Sequence, residues 1–139
     1  MERYLLDTNI LVFILSGNRN LSKNVIEITQ DYANQLYTSS IVLTEIIQLH
    51  RLNKIQSKKY KSVFEIQEAI EKEYFIEILP FTKQHVKTLA QLSISEGHND
   101  PFDHAIISHA ITDKLTLISS DKKFENYITQ KLKFVFNRR

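Results

Sequence analysis

Apolar and polar positions fall into blocks along the chain, and each block predicts an element. Tyr4-Leu5-Leu6 is a short apolar run cut off at Asp7-Thr8-Asn9, after which Ile10 to Leu15 opens a second run: strand, polar turn, helix. Ser16-Gly17-Asn18 closes that helix. Leu21, Val25, Ile28 and Tyr32 share one helical face, and Gln35 to Ser39 reads as a second strand. Ser40 can cap a helix whose apolar positions include Val42, Leu43, Ile46 and Ile47. Tyr60, Val63, Phe64 and Ile70 suggest a helix running through the basic stretch that precedes them. Tyr74 to Leu79 makes a third strand, stopped by Pro80. Thr82 caps a helix with Val86, Leu89 and Ala90, and Gly97-His98-Asn99 breaks it. A helix starting at Pro101 follows, then a fourth strand at Leu115 to Ser119, a helical turn past Phe124 and Tyr127, and a fifth strand at Lys133 to Phe136.

Strands alternating with helices imply parallel strands joined by right-handed crossovers, with helices on both faces. The expected fold class is α/β: a three-layer α/β/α sandwich around a mostly parallel five-stranded sheet, one domain over residues 1–139. Sites in such folds form at the carboxyl ends of the strands.

Composition narrows the setting. The chain is 42% hydrophobic and 24% charged, which excludes a disordered or fibrous protein. With 18 basic and 16 acidic residues the balance announces no nucleic acid, so the distribution of charge must carry that argument. The absence of cysteine removes disulfides and thiolate zinc sites and fits a cytoplasmic protein. Ile10 to Leu15, the longest apolar run, falls far below the ~20 residues that span a bilayer, so no membrane role is expected. Glu2 and Asp7 bring charge too early for a signal peptide.

The chemistry lies in acids that the predicted topology gathers. Asp7 follows strand one, Glu45 lies one turn into the helix after strand two, Asp103 heads the helix leading into strand four, and Asp121 follows strand four. Two bare carboxylates ~4 Å apart repel by roughly 4 kcal/mol at an effective dielectric near 20, so a cluster takes up protons or a cation. Oxygen donors, with no histidine at ligand spacing, select Mg²⁺ or Mn²⁺ over Zn²⁺. Simpler roles compete. Asp7 and Asp121 can be N-caps, while Asp100, Pro101 and Asp103 form a helix-start signature. His98, His104 and His109 read as surface groups or as neighbours behind the acids.

Asp7-Thr8-Asn9 after the first strand, Glu45 within Ser-Ser-Ile-Val-Leu-Thr-Glu-Ile, His98-Asn99-Asp100-Pro101-Phe102-Asp103 and Ser119-Ser120-Asp121 together resemble the PIN-domain family, and more closely its VapC-type toxins. The resemblance implies an acidic pocket of Asp7, Glu45, Asp103 and Asp121, with Asp7 and Asp103 as Mg²⁺ ligands. It implies that Thr8, Asn9 and Ser119 orient waters and carboxylates, and that Asp100 caps the helix at the pocket mouth, open to a place in the metal network. His104 stands where this branch often has arginine, and Ser119 where it usually has threonine.

By the same resemblance the activity is that of a Mg²⁺-dependent endoribonuclease in which a metal-activated water hydrolyses an RNA phosphodiester, Mn²⁺ substituting. The implied assembly is a homodimer with a small antitoxin protein, DNA being met only through that antitoxin. An acidic pocket needs a basic rim to hold RNA. Lys122 and Lys123 beside Asp121 are candidates, as are Arg51, Lys54 and Lys58 in a stretch that can equally be a solvated helix face. A PIN-type RNA-processing nuclease outside a toxin system, a receiver-like Mg²⁺-binding signalling domain and a catalytically silent binding module are the competing readings.

Overall fold

The computed structural model describes residues 2–55 and 59–139. In chain order the elements are β1 (Arg3–Leu6), α1 (Thr8–Leu15), α2 (Lys23–Gln30), β2 (Gln35–Ser39), α3 (Ser40–Arg51), α4 (Val63–Glu68), β3 (Glu77–Leu79), α5 (Lys83–Gln91), α6 (Pro101–Asp113), β4 (Thr116–Ser119), a 3₁₀ helix (Lys122–Gln130) and β5 (Lys133–Phe136). The five strands pair in the order β3-β2-β1-β4-β5, and every pairing is parallel.

β1 sits at the centre because its side chains are apolar on both faces. Leu5 and Leu6 are fully buried and pair with Leu117 and Ile118 of β4. Ile106 and Ile107 of α6 and Phe124 and Tyr127 of the 3₁₀ helix join the same core. Burying each such side chain contributes about 1.5–3 kcal/mol. From β1 the chain steps outward to β2 and β3, then returns across to β4 and steps the other way to β5. With right-handed crossovers, opposite steps put their helices on opposite faces, giving the α/β/α layering expected from the sequence. The reversal lies between β1 and β4, where a crevice opens at the strands' carboxyl ends.

Several local expectations are corrected. Ser39, the last residue of β2, caps α3 by accepting from the Ile41 N–H at 3.1 Å, so the strand passes into the helix without a loop. Ser40 is already helical, and its hydroxyl instead accepts from the Phe81 N–H at 2.9 Å. No described residue between Arg51 and Ser62 is helical: α3 ends beside Asn53, whose φ is +54°, and α4 begins only after its Ser62 cap. The third strand is shorter than its apolar run because α4 continues as a π turn over Ala69–Glu73, and Phe75 then bends at φ +55° with its ring exposed. Tyr32 lies beyond the end of α2 and is fully exposed, off the helical face assigned to it.

Candidate active site

Asp7 is 3% exposed, and both of its oxygens are engaged. Oδ1 accepts from the Thr8 N–H at 2.8 Å, capping α1, and Oδ2 accepts from the Ser119 hydroxyl at 2.6 Å. That second bond crosses the β1–β4 crevice and locks the carboxylate in place. Ser119 Oγ in turn accepts from the Asp121 N–H at 3.0 Å, while Asn9 Oδ1 accepts from the Ser120 N–H at 3.2 Å. Asp121 is also a cap, its Oδ1 accepting from the Lys123 N–H at 3.0 Å. The capping and chemical readings of Asp7 and Asp121 are therefore compatible, since each carboxylate oxygen has two lone pairs and one hydrogen bond leaves the other open.

Glu45, half-buried on α3, accepts from the Thr8 hydroxyl. Asp103, in the first turn of α6, has its Oδ2 3.0 Å from His98 Nε2. His98 is buried and also meets the Tyr127 hydroxyl through Nδ1 at 2.8 Å. The Tyr127 oxygen accepts from the Ser95 N–H at 3.0 Å and its hydroxyl donates to Nδ1, so in the neutral ring Nε2 carries the proton and turns it to Asp103. Burial lowers the His98 pKa, which keeps the ring neutral. Asp100 is exposed and caps α6 through the Phe102 N–H at 2.9 Å.

These acids line a single cleft of about 380 Å³: Asp7, Glu45, Asp100, Asp103 and Asp121, together with Thr8 and Asn9. Val12, Phe13, Leu49 and Ile55 form its apolar wall, and Lys54 and Arg139 are the cations lining it. Their burial, with mutual repulsion added, is expressed in their proton affinities. Burial raises Asp7 to about 7 against the pull of the Ser119 hydrogen bond, with Asp103 and Glu45 adding to the rise. Burial likewise raises Asp103 to about 7, with Asp100, Asp121 and Glu45 contributing. Glu45 is also raised, again chiefly by burial. Crowded, buried carboxylates are stabilised by protons or by a cation.

The donor set suits such an ion. His98, Asp103 and Asp121 bring a ligand-type atom each within 4.8 Å of one another. Both His98 ring nitrogens are engaged, Nδ1 by Tyr127 and Nε2 by Asp103, so the imidazole orients an acid and the oxygens are the donors open to an ion. A second group with the same spread, His85, His109 and Asp113, is a different kind of cluster. His85 Nδ1 accepts from the Thr82 N–H at 2.8 Å, capping α5, so its Nε2 keeps the proton and turns it to Asp113 at 3.0 Å. His109 is fully buried beside Ser39 and lies outside the cleft lining, contrary to the surface or supporting role expected of it. His104, through Nε2, meets the His98 carbonyl at 2.7 Å and thereby ties down the loop before α6.

Of the candidate RNA contacts, Lys54 lines the cleft, while Lys122 and Lys123 are exposed next to Asp121. Lys123 is near enough to lower the Asp103 pKa. Arg51 is exposed at the end of α3 and does not line the cleft; Lys58 lies outside the described residues. Sequence reading missed His98 with Tyr127, and Phe13 with Arg139. These pairs form between residues distant in the chain, and no local periodicity signals them.

A family model described as the PIN domain matches residues 4–128. No curated protein matches the chain. Among solved structures, VapBC2 from Rickettsia felis, bound to a promoter DNA fragment, is 25% identical at a TM-score of 0.67, covering 97% of this chain and 98% of that one. VapBC-1 from nontypeable Haemophilus influenzae is 20% identical at a TM-score of 0.65, covering 96% and 97%. VapBC-5 from Mycobacterium tuberculosis, a member of the VapBC family of toxin–antitoxin systems, is 17% identical at a TM-score of 0.59 with complete coverage of both chains, 100% and 100%. No helix among the described residues is long and apolar enough to cross a membrane. The resemblance read from Asp7, Glu45, Asp103 and Asp121 and the match over residues 4–128 agree: the chain belongs to the PIN domain family.

Proposed function

We propose that this protein is a metal-dependent endoribonuclease and the toxin of a toxin–antitoxin pair. One observation carries the reading: Asp7, Glu45, Asp103 and Asp121, spread through the sequence, line one cleft where the sheet's connections reverse. Mg²⁺ or Mn²⁺ held by Asp7 and Asp103 supplies there the Lewis-acid charge that hydrolysis of a phosphodiester requires. The protein's own part is to preset that site. Ser119 fixes Asp7, the Thr8 hydroxyl fixes Glu45, and His98 Nε2 fixes Asp103. Lys54, Lys122 and Lys123 offset the repulsion between the acids and an RNA backbone. The solved relative that pairs toxin with antitoxin on promoter DNA supports a small antitoxin partner and DNA contact through that partner; action in the cytoplasm as a homodimer completes the proposal.

The test is cleavage of a labelled structured RNA in Mg²⁺, in Mn²⁺ and in chelator, with end mapping. Cleavage in either metal, none in chelator, and products bearing a 5′-phosphate are expected. Asp7→Asn and Asp103→Asn should each lower the rate by about 10²-fold or more, the scale seen when one preorganised electrostatic group is removed. Induced wild-type chain should arrest growth, and both variants should relieve the arrest. Variants that cut and arrest as well as wild type would refute the acidic-pocket mechanism.

A further inference from the structure

Past β5 the chain turns toward the cleft on a short, fixed tether. Asn137 is fully buried and saturated with hydrogen bonds. Its N–H donates to the Ser119 carbonyl at 2.8 Å, its Oδ1 accepts from the Ser22 N–H at 2.7 Å, and its Nδ2 donates to the Asn20 carbonyl at 2.9 Å and Ser120 Oγ at 2.8 Å. An anchor is thus set against the residue that holds Asp7. Arg139 follows within about 7 Å of extended chain. Its guanidinium lies over the Phe13 ring, 5.4 Å from the centroid, and the residue lines the acidic cleft.

The guanidinium is exposed, yet it makes no ion pair among the described residues with the carboxylates around it. A tail merely neutralising the cleft would be expected to pair with them. With its charge set over the ring and no carboxylate paired to it, the guanidinium keeps N–H donors available, and their planar fork matches a phosphate through two parallel hydrogen bonds. Lys54, on the same cleft, is a flexible point charge without that geometry.

We infer that Arg139, held by the Asn137 anchor and the Phe13 ring, grips a backbone phosphate of the RNA beside the acidic cleft. It is a substrate-positioning contact, and the inference rests on the nuclease reading above. The test compares wild type with Arg139→Ala, Arg139→Lys and Phe13→Leu in Mg²⁺ on a labelled RNA hairpin that wild type cleaves. Binding of the same hairpin is titrated against salt in the Asp103→Asn background, where the RNA stays intact. Arg139→Ala should raise KM about tenfold with kcat nearly unchanged. It should also lower the salt slope of binding by about 1 while leaving the melting temperature in place. Arg139→Lys should recover part of the loss, and Phe13→Leu should move KM the same way by less. An unchanged KM and salt slope, or a raised kcat, would overturn the inference and mark the segment as a parked or inhibitory tail. If wild type neither cleaves nor binds RNA, the nuclease reading falls and takes this inference with it; failure of Arg139→Ala to differ from an active wild type strikes this inference alone.

Discussion

Asp7 shows how one residue serves folding and chemistry at once. It starts α1, spans the β1–β4 crevice to Ser119, and faces the cleft with a pKa raised to about 7 by burial and by its acidic neighbours. Raised carboxylates make the metal-free protein unusual in acid. Between the ordinary value of 3.8 and about 7 the native state holds protons on Asp7 and Asp103 that the unfolded chain has released. Their contribution to stability therefore falls as pH rises across that window and levels off above it. His109 acts with the opposite sign: burial and the adjacent His85 depress its pKa, so acidification below its ordinary 6.5 protonates the unfolded chain first and costs stability. In chelator, Asp7→Asn should melt increasingly above wild type as pH goes from 4 to 8, because Asn retains the cap and sheds the titration. A difference that stays flat with pH would contradict this assignment. Ser119→Ala should cost about 10–100-fold in metal affinity or cleavage, and Ser119→Thr should keep most of both, since the hydroxyl is what holds Asp7.

At the scale of elements, carboxylates gather where helices begin. Asp7 caps α1, Asp121 caps the 3₁₀ helix, and Asp103 lies in the first turn of α6, so orphan amides and helix dipoles ease the crowding of negative charge. The cluster itself was legible from strand ends, which are local signals that a parallel topology stacks on one edge; capping, the rival role for these acids, coexists with it. β2 and β5 were readable to the residue: β2 follows the 31–34 turn and ends at the Ser39 cap, and β5 follows the left-handed Lys131 that ends the 3₁₀ helix and stops at Asn137. The segment from Tyr74 was not, because its apolar run is spent on a π turn and an outward bend. Phe75 is left-handed at φ +55° and 77% exposed, so it accepts backbone strain without gaining a core contact. Phe75→Asn should stabilise the protein by up to about 1 kcal/mol in denaturant unfolding. A loss of stability would mean that the ring has a packing role.

For the whole molecule, the alternation of blocks implied the α/β class, and the places of the acids relative to the strand ends implied which of them share an edge. What stayed hidden were contacts that exist only once distant elements pack: His98 on Tyr127, Arg139 on Phe13, and the tilted His85–His109 pair with centroids 3.9 Å apart. Cation binding should also register globally. A divalent ion at 100 times its dissociation constant adds about 2.7 kcal/mol to stability, so Mn²⁺ or Mg²⁺ should raise the melting temperature of wild type and leave Asp103→Asn unmoved. Equal shifts in both proteins would place the ion elsewhere. The bond from Ser119 to Asp7 joins residues 112 apart in sequence. At about 5–20 residues per second of synthesis, the hydroxyl emerges roughly 6–22 s after the acid it must hold. The Asp7 carboxylate therefore waits for its fixing bond until β4 has been made, and the crevice between the two strands is framed late in synthesis rather than early.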